Sequence, residues 1–151
     1  MAQYDPFVAD HIAPAVFLES QRCVVAYNIS PIVPGHALVI TKHSCLSVLE
    51  LSDEEFMDFM KLARQATRLL CEAFGAKDFN WALQVGDSAG QTVPHLHMHL
   101  IPRHEGDLHH PGDWYPEVKS FENSVIDSES RPRLSAGEMG RIVSHLRTLS
   151  S

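Results

Sequence analysis

Three histidines alternate with apolar residues in one short run, where Leu96 and Met98 separate His95, His97 and His99. If this run is a β-strand, alternate side chains share a face, so all three imidazoles project from one side of the sheet. The ordinary pKa of an imidazole is about 6.5, so the ring can donate, accept or attack near neutral pH. The pattern therefore predicts a chemical site built on a strand.

Three interpretations of this run compete at this point. The histidines could be surface groups of an exposed strand, or three imidazoles could hold zinc. The zinc interpretation requires parallel side chains to bend toward one point, and no cysteine or carboxylate lies within the motif. A neutral imidazole can also attack phosphorus and split one displacement into two. The preceding segment 86–92 contains small residues, hydroxyls and backbone N–H groups typical of a phosphate-binding turn, and this favours the third interpretation.

The rest of the chain supplies the elements that must position these residues. Apolar or alternating stretches predict strands at residues 16–18, 23–27, 36–40, 79–85 and 91–101. Capping-box patterns at Ser52–Glu55 and Ser135–Glu138 precede two stretches with helical spacing, and Gly75 ends the first. The order β-β-β-α-β-β-α predicts an α+β fold, with a mainly antiparallel five-stranded sheet, one long helix and a C-terminal helix.

The histidine run resembles the signature of the histidine triad (HIT) superfamily, in which three histidines alternate with apolar residues. Further segments are similar to its fragile histidine triad branch: Asn28, Val33–His36, Gln84, Ala89–Val93, Arg103 and Gly106–Asp107. The Gly90–Val93 run favours this branch over the histidine-triad nucleotide-binding branch, whose Trp-Pro-Pro-Gly ending is also absent. The resemblance extends from Phe17 to Tyr115 without large gaps.

The resemblance implies a HIT-like fold and an activity. Members of this branch cleave dinucleoside polyphosphates, typically diadenosine triphosphate, to AMP and the remaining nucleotide. By this likeness His97 is the nucleophile that attacks the α-phosphate and forms a nucleotidyl-histidine intermediate. His95 and His99 flank it, and His99 donates to the phosphate oxygens. His36 would orient His95 from behind the strand.

Further roles follow from the same resemblance. Gln91 would contact the bridging or leaving-group oxygen, Asn28 the ribose hydroxyls, and Gln84 the ribose or the phosphates. Leu38 and Ile12 would sandwich the adenine. The phosphate path would be lined by Gly90, Gln91, Thr92 and Val93. The residues alone leave a simpler alternative for Asn28, which is typical of a residue that caps a turn.

Bulk properties restrict the class of partner. The formal net charge of −7 argues against binding to long nucleic acids, which needs a basic surface. No apolar run approaches the roughly 18 residues of a membrane span, and the N-terminus lacks a basic and apolar signal sequence. We therefore expect no membrane association and a cytoplasmic or nuclear location. Cys23, Cys45 and Cys71 form no Cys-x-x-Cys motif and are expected to be buried free thiols.

The 151 residues are expected to form a single HIT domain, with a partly mobile loop at about 104–134 that is rich in polar residues and proline. No tightly bound cofactor and no metal site in the protein are expected. Mg²⁺ or Mn²⁺ would accompany the phosphates of the substrate. The resemblance also implies a homodimer.

Two other functions are compatible with the sequence. One is a phosphoramidase or nucleotidyl transferase of the histidine-triad nucleotide-binding type. The other is a non-catalytic nucleotide sensor, in which a bound dinucleotide changes a surface that faces a partner. The loop at 104–134, with its aromatic pair Trp114 and Tyr115, motivates the sensor hypothesis.

Overall fold

The computed structural model describes residues 5–115 and 131–151. The strands are β1 (Val16–Glu19), β2 (Cys23–Tyr27), β3 (Ala37–Thr41), β4 (Asp78–Leu83) and β5 (His97–Arg103). The α-helices are α1 (Ala9–Ile12), α2 (Asp53–Phe74) and α3 (Ala136–Ser150). The predicted α+β fold with two principal helices is confirmed, whereas the short helix α1 was not predicted. None of these helices is both long enough and apolar enough to cross a membrane.

The sheet is antiparallel, and β5 is an interior strand of it. The strand order is β1-β2-β3-β5-β4, so β5 pairs with β3 on one side and with β4 on the other. Leu38 lies opposite His99, and Ile40 lies opposite His97. His99 is therefore paired on both sides, with Leu38 of β3 and Ala82 of β4, whereas His97 pairs with Ile40 of β3 at the start of the strand.

Helix α2 covers one face of the sheet. Its capping box is formed, because the Ser52 hydroxyl accepts from the Glu55 N–H while the Glu55 carboxylate accepts from the Ser52 N–H. Gly75 ends the helix in the left-handed conformation, with φ of 66°. The helix buries Phe59, Leu62, Ala63, Ala66, Thr67, Leu69 and Leu70. Burial of this face fixes the layer behind the histidines.

Helix α3 extends the same hydrophobic core. Ser135 and Glu138 form the predicted capping box, and Met139, Val143 and Leu146 are buried. Arg147 donates from Nε and Nη2 to the carbonyl oxygen of Val16 at 3.0 and 2.7 Å, which ties the helix to β1.

Strand ends differ from the predicted ranges by one or more residues, and two of these boundaries and one thiol bear on the site. Strand β5 begins at His97, so His95 lies before the strand, in a bend where its N–H donates to the Val93 carbonyl. The bend follows Pro94, which lacks the N–H that a continued ladder would require. The third strand begins one residue after His36. Cys71 is half-buried rather than buried, while Cys23 and Cys45 are buried as predicted.

The described part of the predicted loop is anchored at its base. Arg103 donates to the Asp107 carboxylate through Nε and Nη2 at 2.9 and 2.8 Å. Its Nη1 donates to Asn80 Oδ1 and to the Pro111 carbonyl at 2.9 and 2.6 Å. The pKa of Asp107 falls to about 2, mainly because of the hydrogen bond from Arg103. Residues 116–130 of the predicted loop lie outside the described residues.

The turn that precedes His36 depends on Gly35. Its φ is +95°, and an added Cβ would lie 2.8 Å from Pro102 Cγ and 3.1 Å from the Phe74 ring. Gly106 also has a positive φ of +76°, but an added Cβ there would meet nothing within 4 Å.

We expect Gly35→Ala to destabilise the protein more than Gly106→Ala, as measured by urea unfolding. Both substitutions introduce a left-handed alanine, at about 1–2 kcal/mol. Only Gly35→Ala adds steric crowding, which costs about 1–3 kcal/mol more. Equal losses of unfolding free energy would show that the turn relaxes and does not hold His36 rigidly.

Candidate active site

His97 is held in one tautomer by its own strand. It is the first residue of β5, is 7% exposed, and donates from Nδ1 to the His95 carbonyl oxygen at 2.7 Å. Because a carbonyl only accepts, the proton lies on Nδ1 and Nε2 keeps a lone pair. Burial lowers the pKa of His97, although the hydrogen bond to the His95 carbonyl opposes this shift. The ring is therefore a neutral nucleophile near neutral pH.

A second tautomer is fixed by a chain of hydrogen bonds through His36. The Ile32 N–H donates to His36 Nδ1 at 3.1 Å, so the His36 proton lies on Nε2. His36 Nε2 then donates to His99 Nδ1 at 2.9 Å, and this leaves the His99 proton on Nε2. His99 can thus offer an N–H donor to an anion, and its ring centroid lies 5.4 Å from that of His97.

Burial keeps both members of this pair neutral. It lowers the pKa of His36 to about 3 and the pKa of His99 well below 6.5. The nearby guanidinium of Arg131 lowers both pKa values further, and each neighbouring imidazole adds to the effect at His99. His99 therefore acts here as a neutral hydrogen-bond donor rather than as a cation.

The prediction that His36 orients His95 is wrong. His95, His97 and His99 together form the histidine ridge. In the β3–β5 ladder Leu38 lies opposite His99, so the His36 side chain, two residues before Leu38, reaches the His99 end of this ridge. Ile40 lies opposite His97, so His95 lies beyond the other end of the paired region. Antiparallel register therefore assigns His36 to His99.

His95 is fully enclosed and has a partner at each ring nitrogen. Its exposure is 1%, Nε2 lies 2.6 Å from the Thr41 carbonyl oxygen, and Nδ1 lies 2.7 Å from Asp5 Oδ2. Phe7 packs edge-on against His95 and His97, with ring centroids 5.9 and 4.9 Å away. The His95 ring is therefore part of the packed surroundings of the site, while its backbone carbonyl accepts the hydrogen bond that fixes His97.

Sequence reasoning did not identify Asp5, Phe7 or Arg131 as parts of the site. Asp5 lies 90 positions before His95, and no spacing rule connects the two. Arg131 is buried and donates from Nε to the Ser30 carbonyl at 2.9 Å, but in the sequence it belongs to a polar, aperiodic stretch. The aromatic side chain of Phe7, close to the N-terminus, was the one sequence feature that could have indicated a packed contact for this segment.

The loop before the histidines forms a polar turn. Gly86 and Gly90 adopt positive φ values of 88° and 86°, which favour glycine. The Gln91 side chain closes the turn, because Oε1 accepts from the Gly86 N–H at 2.8 Å and Nε2 donates to the Leu46 carbonyl at 3.1 Å. An open cavity of about 230 Å³ is lined by Asp87, Gly90, Gln91 and Thr92.

The residues predicted to line the phosphate path differ in their exposure and bonding. Thr92 is exposed, and Val93 is half-buried beside it. Both ends of the Gln91 amide are bonded, but its NH₂ group carries a second N–H, beyond the one that donates to Leu46, for a leaving-group oxygen. The role of Gln91 at that oxygen stays a prediction.

Asn28 shows the turn-capping behaviour that the sequence also allowed. It is 6% exposed, and its Oδ1 accepts from the Ser30 N–H at 2.8 Å. Its Nδ2 lies 3.5 Å from His36 Nε2, so the amide borders the relay to His99. Gln84 is half-buried and follows the end of β4. Ribose contacts of both residues stay predictions.

The predicted adenine contacts are already packed in this structure. Leu38 is 7% exposed within the hydrophobic core, and Ile12 is half-buried against that core. Their sandwich around a base stays a prediction.

Within residues 5–115 and 131–151, no group of three or more His, Cys, Asp or Glu side chains is placed to hold a metal ion. The described arrangement instead combines a neutral nucleophilic nitrogen, an adjacent N–H donor and a polar turn. Those are the parts needed for in-line attack on phosphorus and for binding of its equatorial oxygens.

Comparison with known sequences identifies related proteins. Residues 10–106 match the family described as the HIT domain. A bis(5'-adenosyl)-triphosphatase of Dictyostelium discoideum is 34% identical over 134 residues, which cover 89% of this chain and 84% of that protein. An asymmetrical bis(5'-nucleosyl)-tetraphosphatase of Schizosaccharomyces pombe is 32% identical over 76% of this chain, which spans 63% of that relative. The chain spans half of the Saccharomyces cerevisiae bis(5'-adenosyl)-triphosphatase, at 36% identity.

Solved structures give the same picture. The Caenorhabditis elegans NitFhit protein has a TM-score of 0.73 at 26% identity, over 91% of this chain and 27% of that chain. Plasmodium falciparum diadenosine triphosphate hydrolase, crystallised with cyclomarin A, has a TM-score of 0.61 at 31% identity. That match covers 76% of this chain and 80% of the hydrolase.

The burial of neutral His36 predicts a pH-dependent stability. Its pKa is about 3 when folded and near 6.5 when unfolded, so the unfolded chain binds more protons between these values. The contribution of neutral His36 to the free energy of unfolding is complete above pH 6.5 and declines as the pH falls below this value. Between pH 7 and pH 5 we expect a loss of about 2 kcal/mol of unfolding free energy from this residue.

Urea unfolding at these two pH values measures the loss. His36→Gln should show a correspondingly smaller decrease than the unsubstituted protein, whereas His145→Gln, at an exposed position on α3, should keep the original decrease. An unchanged decrease in His36→Gln would contradict the burial of a neutral imidazole at that position.

Proposed function

The chain belongs to the HIT domain family, and we propose that it is a hydrolase of dinucleoside polyphosphates, which splits diadenosine triphosphate into AMP and ADP. The observation that carries this proposal is the enclosed His97 ring, whose Nδ1 donates to the His95 carbonyl and whose Nε2 keeps its lone pair. The triphosphatase and tetraphosphatase relatives support the substrate class.

The first step is attack of His97 Nε2 on the α-phosphorus. An N–P bond forms, and the bond from that phosphorus to the bridging oxygen breaks, so that ADP leaves with the electron pair. Because the Nδ1–H group keeps its hydrogen bond to the His95 carbonyl, that oxygen stabilises the positive charge that develops on the His97 ring. His99 Nε2 donates to a non-bridging oxygen while His36 holds its other nitrogen.

The second step is the attack of water on the nucleotidyl-histidine. An O–P bond forms and the N–P bond breaks, which returns the lone pair to Nε2 and releases AMP. The water proton passes to solvent. Splitting the reaction in this way lets the same donors stabilise both transition states.

The proposal also includes metal ions that bind with the substrate, a homodimer and a cellular location. Mg²⁺ or Mn²⁺ enters with the substrate phosphates, because these hard cations prefer oxygen ligands and the site consists mainly of imidazoles. A homodimer is proposed from the family resemblance, and the edge strand β4, which exposes Phe79 and Leu83, supports it. We propose a cytoplasmic or nuclear location.

The central test is hydrolysis of diadenosine triphosphate by the unsubstituted protein and by His97→Asn. We expect kcat to fall by at least about 10³-fold, because the substitution removes the nucleophile. Variants in which His95 or His99 alone is replaced should lose less activity than His97→Asn. His95 positions the nucleophile and His99 donates a hydrogen bond to the phosphate, but neither attacks the phosphorus. His145→Asn, an exposed histidine on α3, is the matched control and should keep full activity.

The choice of substrate distinguishes the alternatives. Faster turnover of adenosine phosphoramidate than of the dinucleotide would favour the phosphoramidase hypothesis, and faster turnover of diadenosine tetraphosphate would change the assigned chain length. Equal turnover by the unsubstituted protein and His97→Asn would overturn the mechanism. Tight dinucleotide binding without turnover would favour the sensor hypothesis.

A further inference from the structure

The segment Asp5–Phe7 contacts the histidine ridge from outside the sheet. Asp5 Oδ2 lies 2.7 Å from His95 Nδ1, and Asp5 Oδ1 accepts from the Phe7 N–H at 2.8 Å. The Phe7 ring in turn packs edge-on against His95 and His97. One carboxylate thus contacts both the ring of His95 and the backbone of Phe7, whose aromatic ring borders the nucleophile.

Both ring nitrogens of His95 face acceptors. The Thr41 carbonyl lies 2.6 Å from Nε2 and cannot donate, so Nε2 carries a proton. An ionised Asp5 carboxylate accepts as well, so Nδ1 also carries a proton. The pair is then an imidazolium and a carboxylate, with side-chain exposures of 2% and 21%. Each charge balances the other inside the protein, as an enclosed charge requires.

We propose that Asp5 is a positioning residue for the nucleophile and that it acts through a doubly protonated His95. Asp5 and Thr41 clamp the His95 ring from opposite sides. The carbonyl of the same residue accepts from His97 Nδ1 and thereby keeps Nε2 of His97 unprotonated. Asp5 therefore acts on His97 through the orientation of the His95 backbone, and it does not touch the substrate.

The two kinds of Asp5 variant separate this role from a general loss of structure. Asp5→Ala removes the clamp. Asp5→Asn can still bond His95, because its amide N–H donates to Nδ1 once that nitrogen has lost its proton. Asp10, which lies exposed in the same part of the chain, provides the matched control Asp10→Ala.

The first measurement is the kinetics of diadenosine triphosphate hydrolysis, which rests on the proposed function. We expect Asp5→Ala to lower kcat by about 10²-fold with little change in KM, because a misplaced nucleophile affects the transition state more than binding. Asp5→Asn should recover most of this loss, and Asp10→Ala should match the unsubstituted protein. An Asp5→Ala enzyme with unchanged kcat would overturn the proposal.

The second measurement does not depend on activity. NMR of the protein with ¹⁵N-labelled histidine, with His95 assigned from the His95→Asn spectrum, should show two protonated ring nitrogens at His95 and only one in Asp5→Asn. His97 should show a single Nδ1–H tautomer, which Asp5→Ala loses. A singly protonated His95 in the unsubstituted protein would overturn the clamp even if every Asp5 variant failed to fold. An inactive protein with the expected spectrum would instead count against the proposed function alone.

Discussion

The hydrogen bond from His97 Nδ1 to the His95 carbonyl oxygen is the constraint on which the site depends. It is a contact between residues two positions apart, so only a particular local backbone geometry can form it. The bend before β5 provides this geometry, since His95 lies outside the ladder while His97 begins it. An ordinary strand at both positions would direct the His95 carbonyl toward a neighbouring strand instead.

Enclosing several imidazoles side by side imposes a second constraint, because each ring N–H needs an acceptor. The structure meets it with alternating donors and acceptors that run from the Ile32 N–H through His36 to His99. The direction of this chain is set at its beginning by a backbone amide, which can only donate. The last proton therefore lies on the outer nitrogen of His99, where an anion can use it.

Local patterns in the sequence were sufficient for much of the fold. The capping boxes at Ser52 and Ser135 and the C-cap at Gly75 correctly marked helix ends, because caps are determined by residues within one turn. Alternating hydrophobicity likewise identified the strands. Strand register could not be predicted in the same way. The partner of His36 follows from the pairing of Leu38 with His99, which no local pattern specifies. The same applies to Asp5, whose contact with His95 spans 90 positions.

Two distant segments of the chain meet the ridge at opposite ends, and their charges have opposite signs. Near His95 the carboxylate of Asp5 balances a ring that faces two acceptors, which permits a charged histidine. Near His99 burial is the main cause that disfavours protonation, and the imidazoles of His36 and His97 and the guanidinium of Arg131 act in the same direction. If His95 is doubly protonated as proposed, identical side chains four residues apart take different protonation states because their surroundings differ. This asymmetry explains how a repeated His-x-His pattern can divide into a support, a nucleophile and a donor without any change in residue type.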